Sequence, residues 1–576
     1  MKARERVHIR LGNAKVAIFV GILIYWAWTL GGGAQSWVYI VAVTAFVGLS
    51  IWHEVVMRAM ARSRAAVWFY DAGIANIKDE WMHAGASGER FRNADHPYAD
   101  DLDIFGPRSL FQLLSLCRTP MGEARLAGWL LQAAPVAAIR ERQARVGALR
   151  SRLDLRERIA VVNAASRRFM HPEQLIAWAE TAPALPRIRA IVVGMAALFV
   201  AAFFSYFYGG SGWAVMLVLA VNGALMGLLF KRAHAIAEGL SSATQSAGLE
   251  LLANVIKEIE REPFEEPALI ALAGRLKGDS GNAASRGIAR LARVSDWADS
   301  LHNAYVRLGE LPFLVTLQIA YAGESWRRRY GTRLRDWVDA IGEIEALSSL
   351  AGYSYEHPAD PFAELAEDTE PVFEATEIGH PLIPAIESVS NTFSLAHTPR
   401  VLVVSGSNMS GKSTLLRTAG VNAILAFAGA PVRAQRLRLT LFAVGTCLRH
   451  TDSLQEHRSG FYTEALRIRR IADLLDGPLP LCCLFDELLS GTNSKDRRIA
   501  AEGVIRMMLS RGAIGMVTTH DLSLTEIAAI FPGAVKNVHL QDHVEDGKMA
   551  FDYKLRDGVI THSNALALMR MIGLDV

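Results

Sequence analysis

Two long stretches of this chain contain no charged residue, and they constrain its folding more than any other feature. Residues 16–52 and 190–230 lack Asp, Glu, Lys, Arg and His. A glycine-rich break interrupts each stretch, at 31–36 in the first and at 209–212 in the second. Each half approaches the roughly 20 apolar residues with which a helix crosses a bilayer. The pattern predicts two hairpins with four membrane-spanning helices; the alternative is a pair of helices buried in a soluble core.

Basic residues flank both hairpins, whereas both breaks are uncharged. The flanking residues are Lys2, Arg4, Arg6, Arg10, Lys15, Arg58, Arg62, Arg64, Arg187, Arg189, Lys231 and Arg232. Positive charge is retained on the cytoplasmic side of a membrane. We therefore expect a multi-pass protein of a bacterial-type inner membrane, in contact with membrane lipid, with both termini and both large polar regions in the cytoplasm.

Composition leaves the partners of the chain open. With 576 residues the chain is long enough for several domains, and its net charge of +3 does not indicate a nucleic-acid-binding protein. The hydrophobic fraction of 51% agrees with membrane segments. The cysteines Cys117, Cys447, Cys482 and Cys483 show no metal-ligand spacing, and we expect reduced thiols, with the adjacent pair 482–483 packed in the core.

The polar regions have a helical pattern with local clusters of arginine. Residues 53–186 are arginine-rich, and residues 233–372 contain long amphipathic helices followed by a linker rich in proline and acidic residues. Arginine clusters occur at 327–329 (RRR) and 333–335 (RLR). DNA phosphates, lipid headgroups and acidic helices all remain open as their partners.

A glycine-rich loop between a predicted strand and a predicted helix carries the clearest chemical signal. Residues 401–404 are an apolar run, residues 406–414 read GSNMSGKST, and a helical pattern begins at Leu415. In such a P-loop, backbone N–H groups surround the phosphates of a nucleotide, the lysine reaches the β- and γ-phosphates, and the next hydroxyl ligates Mg²⁺. The nucleotide site is assigned to Gly406, Ser407, Asn408, Met409, Ser410, Gly411, Lys412, Ser413 and Thr414, with Ser413 on the metal.

Two further apolar runs end in polar side chains. Residues 481–485 precede Asp486 and Glu487, and residues 514–519 precede His520. Asp486 is placed to hold the Mg²⁺ shell, Glu487 to orient or deprotonate the attacking water, and His520 to contact the γ-phosphate. Parallel strands present their carboxyl ends at one edge of a sheet. The sequence therefore predicts an ATP and Mg²⁺ site with Lys412, Glu487 and His520 as catalytic residues.

The P-loop, with its Asn-Met pair, resembles that of the MutS mismatch-repair ATPases. Other segments follow in the order that MutS proteins use: HPL at 380–382, APV at 430–432, SGFYTE at 459–464, Asp486-Glu487 with Gly491-Thr492 behind it, and TTH at 518–520. Residues 102–122 resemble the opening of the MutS core more loosely. The two hairpins have no counterpart in the standard repair protein.

The resemblance implies a homodimer in which Ser459 is offered to the partner subunit's nucleotide. It also makes Asn408 a phosphate-loop residue and His520 a switch residue. Two segments depart from the family pattern: LLS at 488–490 and EHRSGF at 456–461. Core-like sequence begins near Leu102 and no Phe-x-Glu precedes the second hairpin, so the mismatch-recognition domain is missing and any DNA binding is expected to be indifferent to mismatches.

These features predict an α/β P-loop NTPase domain of ABC/MutS type, preceded by an all-α MutS-core-like region that two transmembrane hairpins interrupt. The predicted segments are a basic tail (1–15), hairpin one (16–52), a helical core-like region (53–186), hairpin two (187–232), a lever-like region with its linker (233–372) and the ATPase domain (373–576). The expected function is that of a membrane-anchored MutS-like ATPase. An ABC-type transporter half and a nucleotide-regulated membrane scaffold are the alternatives, although the ABC signature LSGGQ does not occur.

Overall fold

The computed structural model describes residues 2–29, 36–83, 85–162, 171–243, 246–277, 283–407, 409–449, 460–489, 493–545 and 548–560. It divides into two compact units. The first unit is Met1–Asp71 with Leu153–Gly342, and the second is Ala72–Arg152 with Glu343–Val576.

Helices dominate the chain up to residue 356. They are α1 (Lys2–Thr29), α2 (Ser36–Ile77), α3 (Leu110–Leu114), α4 (Pro120–Leu131), α5 (Val136–Arg150), α6 (Leu153–Val161), α7 (Pro172–Glu180), α8 (Arg189–Phe207), α9 (Gly212–Ala243), α10 (Ser246–Arg261), α11 (Pro267–Leu276), α12 (Ala284–Ser300), α13 (Ala304–Leu308), α14 (Glu310–Phe313) and α15 (Val315–Glu356).

Strands alternate with helices in the rest of the described chain. The strands are β1 (Glu364–Leu365), β2 (Phe373–Ile378), β3 (Asn391–Leu395), β4 (Val401–Ser405), β5 (Arg436–Leu439), β6 (Ala443–Cys447), β7 (Leu481–Phe485), β8 (Ile514–Thr519), β9 (Val535–Glu545) and β10 (Lys548–Asp557). The helices among them are α16 (Lys412–Ala428), α17 (Gly460–Asp473), α18 (Ser494–Ser510) and α19 (Ile527–Ile530).

Four helices have the length and apolar composition needed to cross a membrane. In the described part of the chain these are Arg6–Thr29, Trp37–Ile77, Arg189–Phe207 and Gly212–Ala243, and at most 17% of each apolar window is buried within the protein. A soluble core pair would bury such side chains, whereas these helices leave most of theirs exposed in the described part of the chain, which favours the prediction of spans over the alternative of buried helices. The helices also extend beyond the uncharged stretches. The break at 31–36 lies almost entirely outside the described residues, whereas Gly209 turns the chain between α8 and α9 with φ of +88°.

The arginine clusters of α15 are largely engaged within the first unit. The Arg327 guanidinium is buried and lies 5.1 Å from the centre of the Trp178 ring. Arg335 donates to both carboxylate oxygens of Glu180, at 3.0 and 3.1 Å. Arg327 is therefore not available to DNA phosphates, and Arg335 pairs with an acidic residue of α7, which is one of the partners that the sequence left open.

The core of the second unit is a six-stranded sheet in the order β10-β9-β4-β8-β7-β6. Strands β9, β4, β8, β7 and β6 are parallel, and β10 is an antiparallel edge strand. All residues of β4, β7 and β8 are buried, as expected of parallel strands covered on both faces. The three strands predicted from apolar runs are thus confirmed, and they are direct neighbours. A smaller sheet has the order β1-β5-β2-β3.

The first polar region does not form one unit. Residues 72–152 belong with the sheet domain, because residues before α3 bond to β6. The Thr446 N–H donates to the Pro97 carbonyl at 3.0 Å, and the Thr446 hydroxyl donates to buried Asp101 at 2.8 Å. All four cysteines are free thiols. Cys482 and Cys483 lie in β7, where burial raises the pKa of Cys482 to about 12, so core packing is confirmed for this pair.

Candidate nucleotide-binding site

Two glycines shape the loop between β4 and α16. Gly411 caps α16 with φ of +93°, in the left-handed region that glycine adopts readily, and an added Cβ would lie 2.9 Å from the Tyr553 ring. At Gly406 a Cβ would lie 2.7 Å from the Ser410 hydroxyl and 2.9 Å from the Leu540 carbonyl oxygen. Both positions therefore exclude larger residues, as a loop that closes around phosphates requires.

Lys412 turns its ammonium group into this loop. Its Nζ donates to the carbonyls of Gly406 and Ser407, each at 2.8 Å, and lies 3.9 Å from Glu487 Oε1. Burial lowers the pKa of Lys412, although Glu487 and Asp486 act in the opposite direction. The buried Ser407 hydroxyl has no hydrogen-bond partner among the described residues. A buried cation beside an unsatisfied hydroxyl fits a phosphate group of a nucleotide.

The carboxylates after β7 are held by a residue of β8 that the sequence analysis did not assign. The Thr518 hydroxyl donates to Asp486 Oδ1 and accepts the Glu487 N–H at 2.8 Å. Glu487 has φ of +47°, a conformation that costs a non-glycine residue free energy and that surrounding contacts must maintain. Thr518 is fully buried. Its position in the register next to β7, rather than its residue type, identifies this role.

His520 lies beside Glu487, as the sequence predicted for two groups at neighbouring strand ends. Its Nδ1 is 3.3 Å from Glu487 Oε1, and its side chain is 45% exposed. Glu487 therefore contacts Lys412 on one side and His520 on the other. Among the assigned residues, the structure brings these three side chains to one place above the P-loop.

A cavity of about 560 Å³ opens over the loop. Lys412, Ser413, Thr414 and Glu487 form its polar side, and Met409, Ile378, Ile383, Val389 and Leu540 contribute apolar surface. Ser413 and Asp486 are the residues that would hold Mg²⁺, an ion that commonly takes few protein ligands together with phosphate oxygens. Asn408 and Ser459 lie outside the described residues, so their assignments stay predictions.

A histidine and a tyrosine to which the sequence analysis assigned no role at the site also line this cavity. His380 is buried, which lowers its pKa to about 4 with a further contribution from Arg417, and its Nδ1 accepts the Leu382 N–H at 3.2 Å. Tyr553 covers Gly411 from β10. The Asn391 amide donates to the Tyr553 carbonyl at 3.0 Å and accepts the Leu555 N–H at 2.8 Å. Tyr553 and Val389 line the same cavity although they are far apart in the chain, so the local sequence does not reveal that they meet there.

Comparisons with known proteins support the same domain. Residues 402–575 match the family model of MutS domain V. The endonuclease MutS2 of Thermus thermophilus is 34% identical over 204 residues, which cover 34% of this chain and 25% of that protein. The DNA mismatch repair proteins MutS of Geobacillus kaustophilus and Natronomonas pharaonis are 30% identical over 254 residues and 28% identical over 247 residues. These matches cover 43% and 42% of this chain and 28% of each relative.

The matched part thus spans about a quarter of the length of these curated relatives. It contains the P-loop, the two carboxylates and His520, which the sheet places at one edge. The C-terminal region of this chain therefore matches MutS domain V, and through it the chain is similar to the MutS proteins.

Proposed function

We propose that this protein is a membrane-anchored, MutS-like ATPase that binds ATP with Mg²⁺ and hydrolyses it to ADP and phosphate. One observation carries the proposal: Lys412 Nζ and His520 Nδ1 lie 3.9 and 3.3 Å from the same oxygen of Glu487, at a cavity over the P-loop. A scaffold without turnover has no need for a carboxylate held between two such groups.

The side chains divide the chemistry among them. Lys412 and the loop N–H groups bind the phosphates, and Ser413 and Asp486 hold Mg²⁺, which neutralises charge on the phosphate oxygens when bound. Glu487 orients the attacking water and accepts its proton. His520 positions the Glu487 carboxylate and contacts the γ-phosphate. Tyr553 and Val389 line the wall of the cavity that we assign to the adenine ring of the nucleotide.

Membrane anchoring is the second part of the proposal. Four long helices expose apolar side chains, and basic residues flank both pairs. Exposed apolar surface on this scale is stable in lipid and not in water. The basic flanks orient both termini and the ATPase domain toward the cytoplasm, where ATP is available.

We also propose that two chains pair through their ATPase domains. Contact of the chain with DNA is proposed to be insensitive to mismatches, which equilibrium binding to matched and mismatched duplexes at several salt concentrations tests.

Two substitutions in purified, detergent-solubilised protein test hydrolysis. Lys412→Ala should weaken ATP binding by at least about tenfold, because it removes the cation that contacts the phosphates. Glu487→Gln should retain ATP binding but lower turnover by about 10²-fold or more, since it removes the base. Nucleotide-binding titrations and phosphate release measure the two effects. Lys495→Ala and Glu526→Gln are matched controls that lie outside the cavity.

The turnover measurements distinguish the proposed role of Glu487 from the scaffold alternative. Parent-like turnover in Glu487→Gln would show that Glu487 is not the base, and absence of turnover in the parent would favour the scaffold alternative. Mixing Lys412→Ala with Ser459→Arg subunits tests the dimer, because one intact shared site should restore part of the activity. No recovery in heterodimers whose formation has been verified would contradict shared sites.

A further inference from the structure

A second cavity, in the first unit, lies where the second apolar hairpin begins. It has a volume of about 610 Å³ and is bounded by the segment before α8, the first turn of α8 and one face of α15. Its charged lining consists of Arg187, Arg189, Arg328, Arg329 and Glu324. Neither the nucleotide site nor the matched MutS domain V includes these residues.

The cavity carries an excess of positive charge. Four arginines line it together with one carboxylate, Glu324, which is buried and accepts the N–H groups of Ala184 and Leu185 at 2.6 and 2.8 Å. Glu324 also pairs with Arg328 at 3.1 Å. In the part of the chain that the structure describes, Arg187 and Arg189 form no ion pair with a carboxylate. Arginines that line a concave site in excess of its carboxylates favour an anion there.

The backbone adds further donors to the same site. Helix α8 begins at Arg189, Ile188 before it provides no capping side chain, and the first turn contains no acidic residue. The N–H groups of Ile191 and Val192 bond to the Ile188 carbonyl, so the donors that the start of α8 offers an anion are those of Arg189 and Ala190. The Tyr321 hydroxyl donates to the Pro186 carbonyl at 3.0 Å. Tyr321 and Glu324 together fix the segment before α8 onto α15, so the cavity has a defined shape.

The position of the cavity along the hairpin identifies the kind of anion. Arg189 is the last charged residue before the uncharged stretch, and Ile191 and Val193 immediately beyond it are exposed. Ten residues further along α8, roughly 15 Å at helical rise, the Phe199 ring packs edge-on against Phe313, just before α15.

The start of α15 thus lies beside the apolar part of the hairpin, and the same helix reaches the cavity at Tyr321. The Asn222 amide of α9 donates to the carbonyls of Leu311 and Pro312, each at 3.1 Å. These bonds hold α14, the short helix before α15, against the hairpin. The cavity therefore lies at the boundary between apolar and charged surface.

We propose that this cavity binds the phosphate headgroup of an anionic membrane lipid, with Arg187 and Arg189 as its principal ligands. The proposal depends on the membrane anchoring proposed above. Lipid is favoured over DNA because exposed apolar residues adjoin the cavity on one side, where acyl chains would lie, and because a duplex presents its phosphates along an extended convex surface. The site would select lipids by headgroup charge.

Thermal unfolding of detergent-solubilised full-length protein tests the site. Dioleoyl phosphatidylglycerol, dioleoyl phosphatidylcholine, inorganic phosphate and a DNA duplex are titrated separately into the parent and two variants. The cavity variant carries Arg187→Gln and Arg189→Gln; the matched control carries Lys231→Gln and Arg232→Gln, which removes two exposed charges from the other end of the same hairpin. Phosphatidylglycerol should stabilise the parent and the control, and about tenfold more of it should be needed for the cavity variant.

Four other outcomes of these titrations would contradict the lipid site. Equal stabilisation by phosphatidylcholine would remove headgroup charge as the determinant, and equal losses in both variants would indicate diffuse flanking charge. A phosphate effect equal to that of phosphatidylglycerol would assign the cavity to a free anion, and duplex binding lost only in the cavity variant would assign it to DNA. Extraction of membranes at alkaline pH distinguishes failure of membrane anchoring from failure of the lipid site. A chain that is not anchored is released by the extraction, whatever its response to lipid.

Discussion

At the scale of single residues, the site depends on a threonine that connects its two carboxylates. The Thr518 hydroxyl bonds to Asp486 and to the Glu487 N–H, while Glu487 itself has a positive φ. This pair of bonds holds Glu487 where its carboxylate meets Lys412 and His520. A neighbouring strand thereby controls the geometry of the proposed base, although Thr518 does not itself line the cavity.

Replacing Thr518 by valine, which has nearly the same shape, removes both hydrogen bonds. We expect turnover to fall by about tenfold, because a displaced base loses catalytic geometry, whereas ATP binding should change less. Thr518→Ser should restore most of the rate, since it restores the hydroxyl. Steady-state hydrolysis and nucleotide titration measure this split. A valine variant with the turnover of the parent would show that Thr518 only fills space.

A second residue, Glu345, predicts a pH dependence of stability. Its Oε2 accepts the Thr119 N–H and hydroxyl at 3.1 and 2.6 Å, and its Oε1 has no partner among the described residues. Burial raises the pKa of Glu345 from 4.5 to about 7. Because the folded-state pKa is the higher one, its contribution to stability is complete below about pH 4.5 and is lost as the pH rises through about 7.

Glu345→Gln removes this titration. Above about pH 8 the variant should be more stable than the parent, by up to about 3 kcal/mol on an order-of-magnitude conversion of the pKa shift. The gain should shrink toward zero near pH 5, where the parent carboxyl is neutral. Unfolding midpoints of both proteins across this range measure the difference. A gain that does not vary with pH would mean that Glu345 is not neutral when the pH is low, or not charged when it is high.

At the scale of elements, the sequence predicts what depends on local pattern. Strands β4, β7 and β8 were predictable because parallel strands buried on both faces are continuous apolar runs, and the apolar helices because charge is absent over long stretches. The approach of Tyr553 to Gly411 was not predictable, since it depends on the irregular pairing of β10 with β9 between Phe551 and Leu555. The packing of α14 against α9 was also not predictable, because the Glu and Pro residues of α14 interrupt any apolar helical pattern.

Accessibility of single introduced cysteines tests the arrangement of these helices in the membrane. A cysteine at Ser211, in the turn between α8 and α9, should react with a membrane-impermeant reagent added to intact cells. A cysteine at Ser510, at the end of α18, should react only after the cells are opened. Both serines are exposed, so burial does not explain a difference. The parent, whose Cys447, Cys482 and Cys483 are buried, gives the background, and external labelling at Ser510 would overturn the topology.

At the scale of the whole molecule, two kinds of structure share one chain. The four apolar helices lie or begin in the first unit, and the second unit contains the residues that match MutS domain V and the cavity over the P-loop. The sequence predicted both parts, yet it did not predict that residues 72–152 fold with the sheet domain, because contacts such as those of Pro97 and Asp101 with Thr446 join segments far apart in the chain. We propose that this one protein is at once integral to the membrane and an ATPase.

Mg²⁺-dependent ATP hydrolysis by membranes washed at alkaline pH tests both properties in one measurement. Membranes containing the parent should retain the chain after the wash and release phosphate from ATP, whereas membranes with the same amount of Glu487→Gln should retain the chain with turnover lower by about 10²-fold. Recovery of the parent chain in the wash would contradict anchoring. Equal phosphate release from the two membranes would contradict the assigned site.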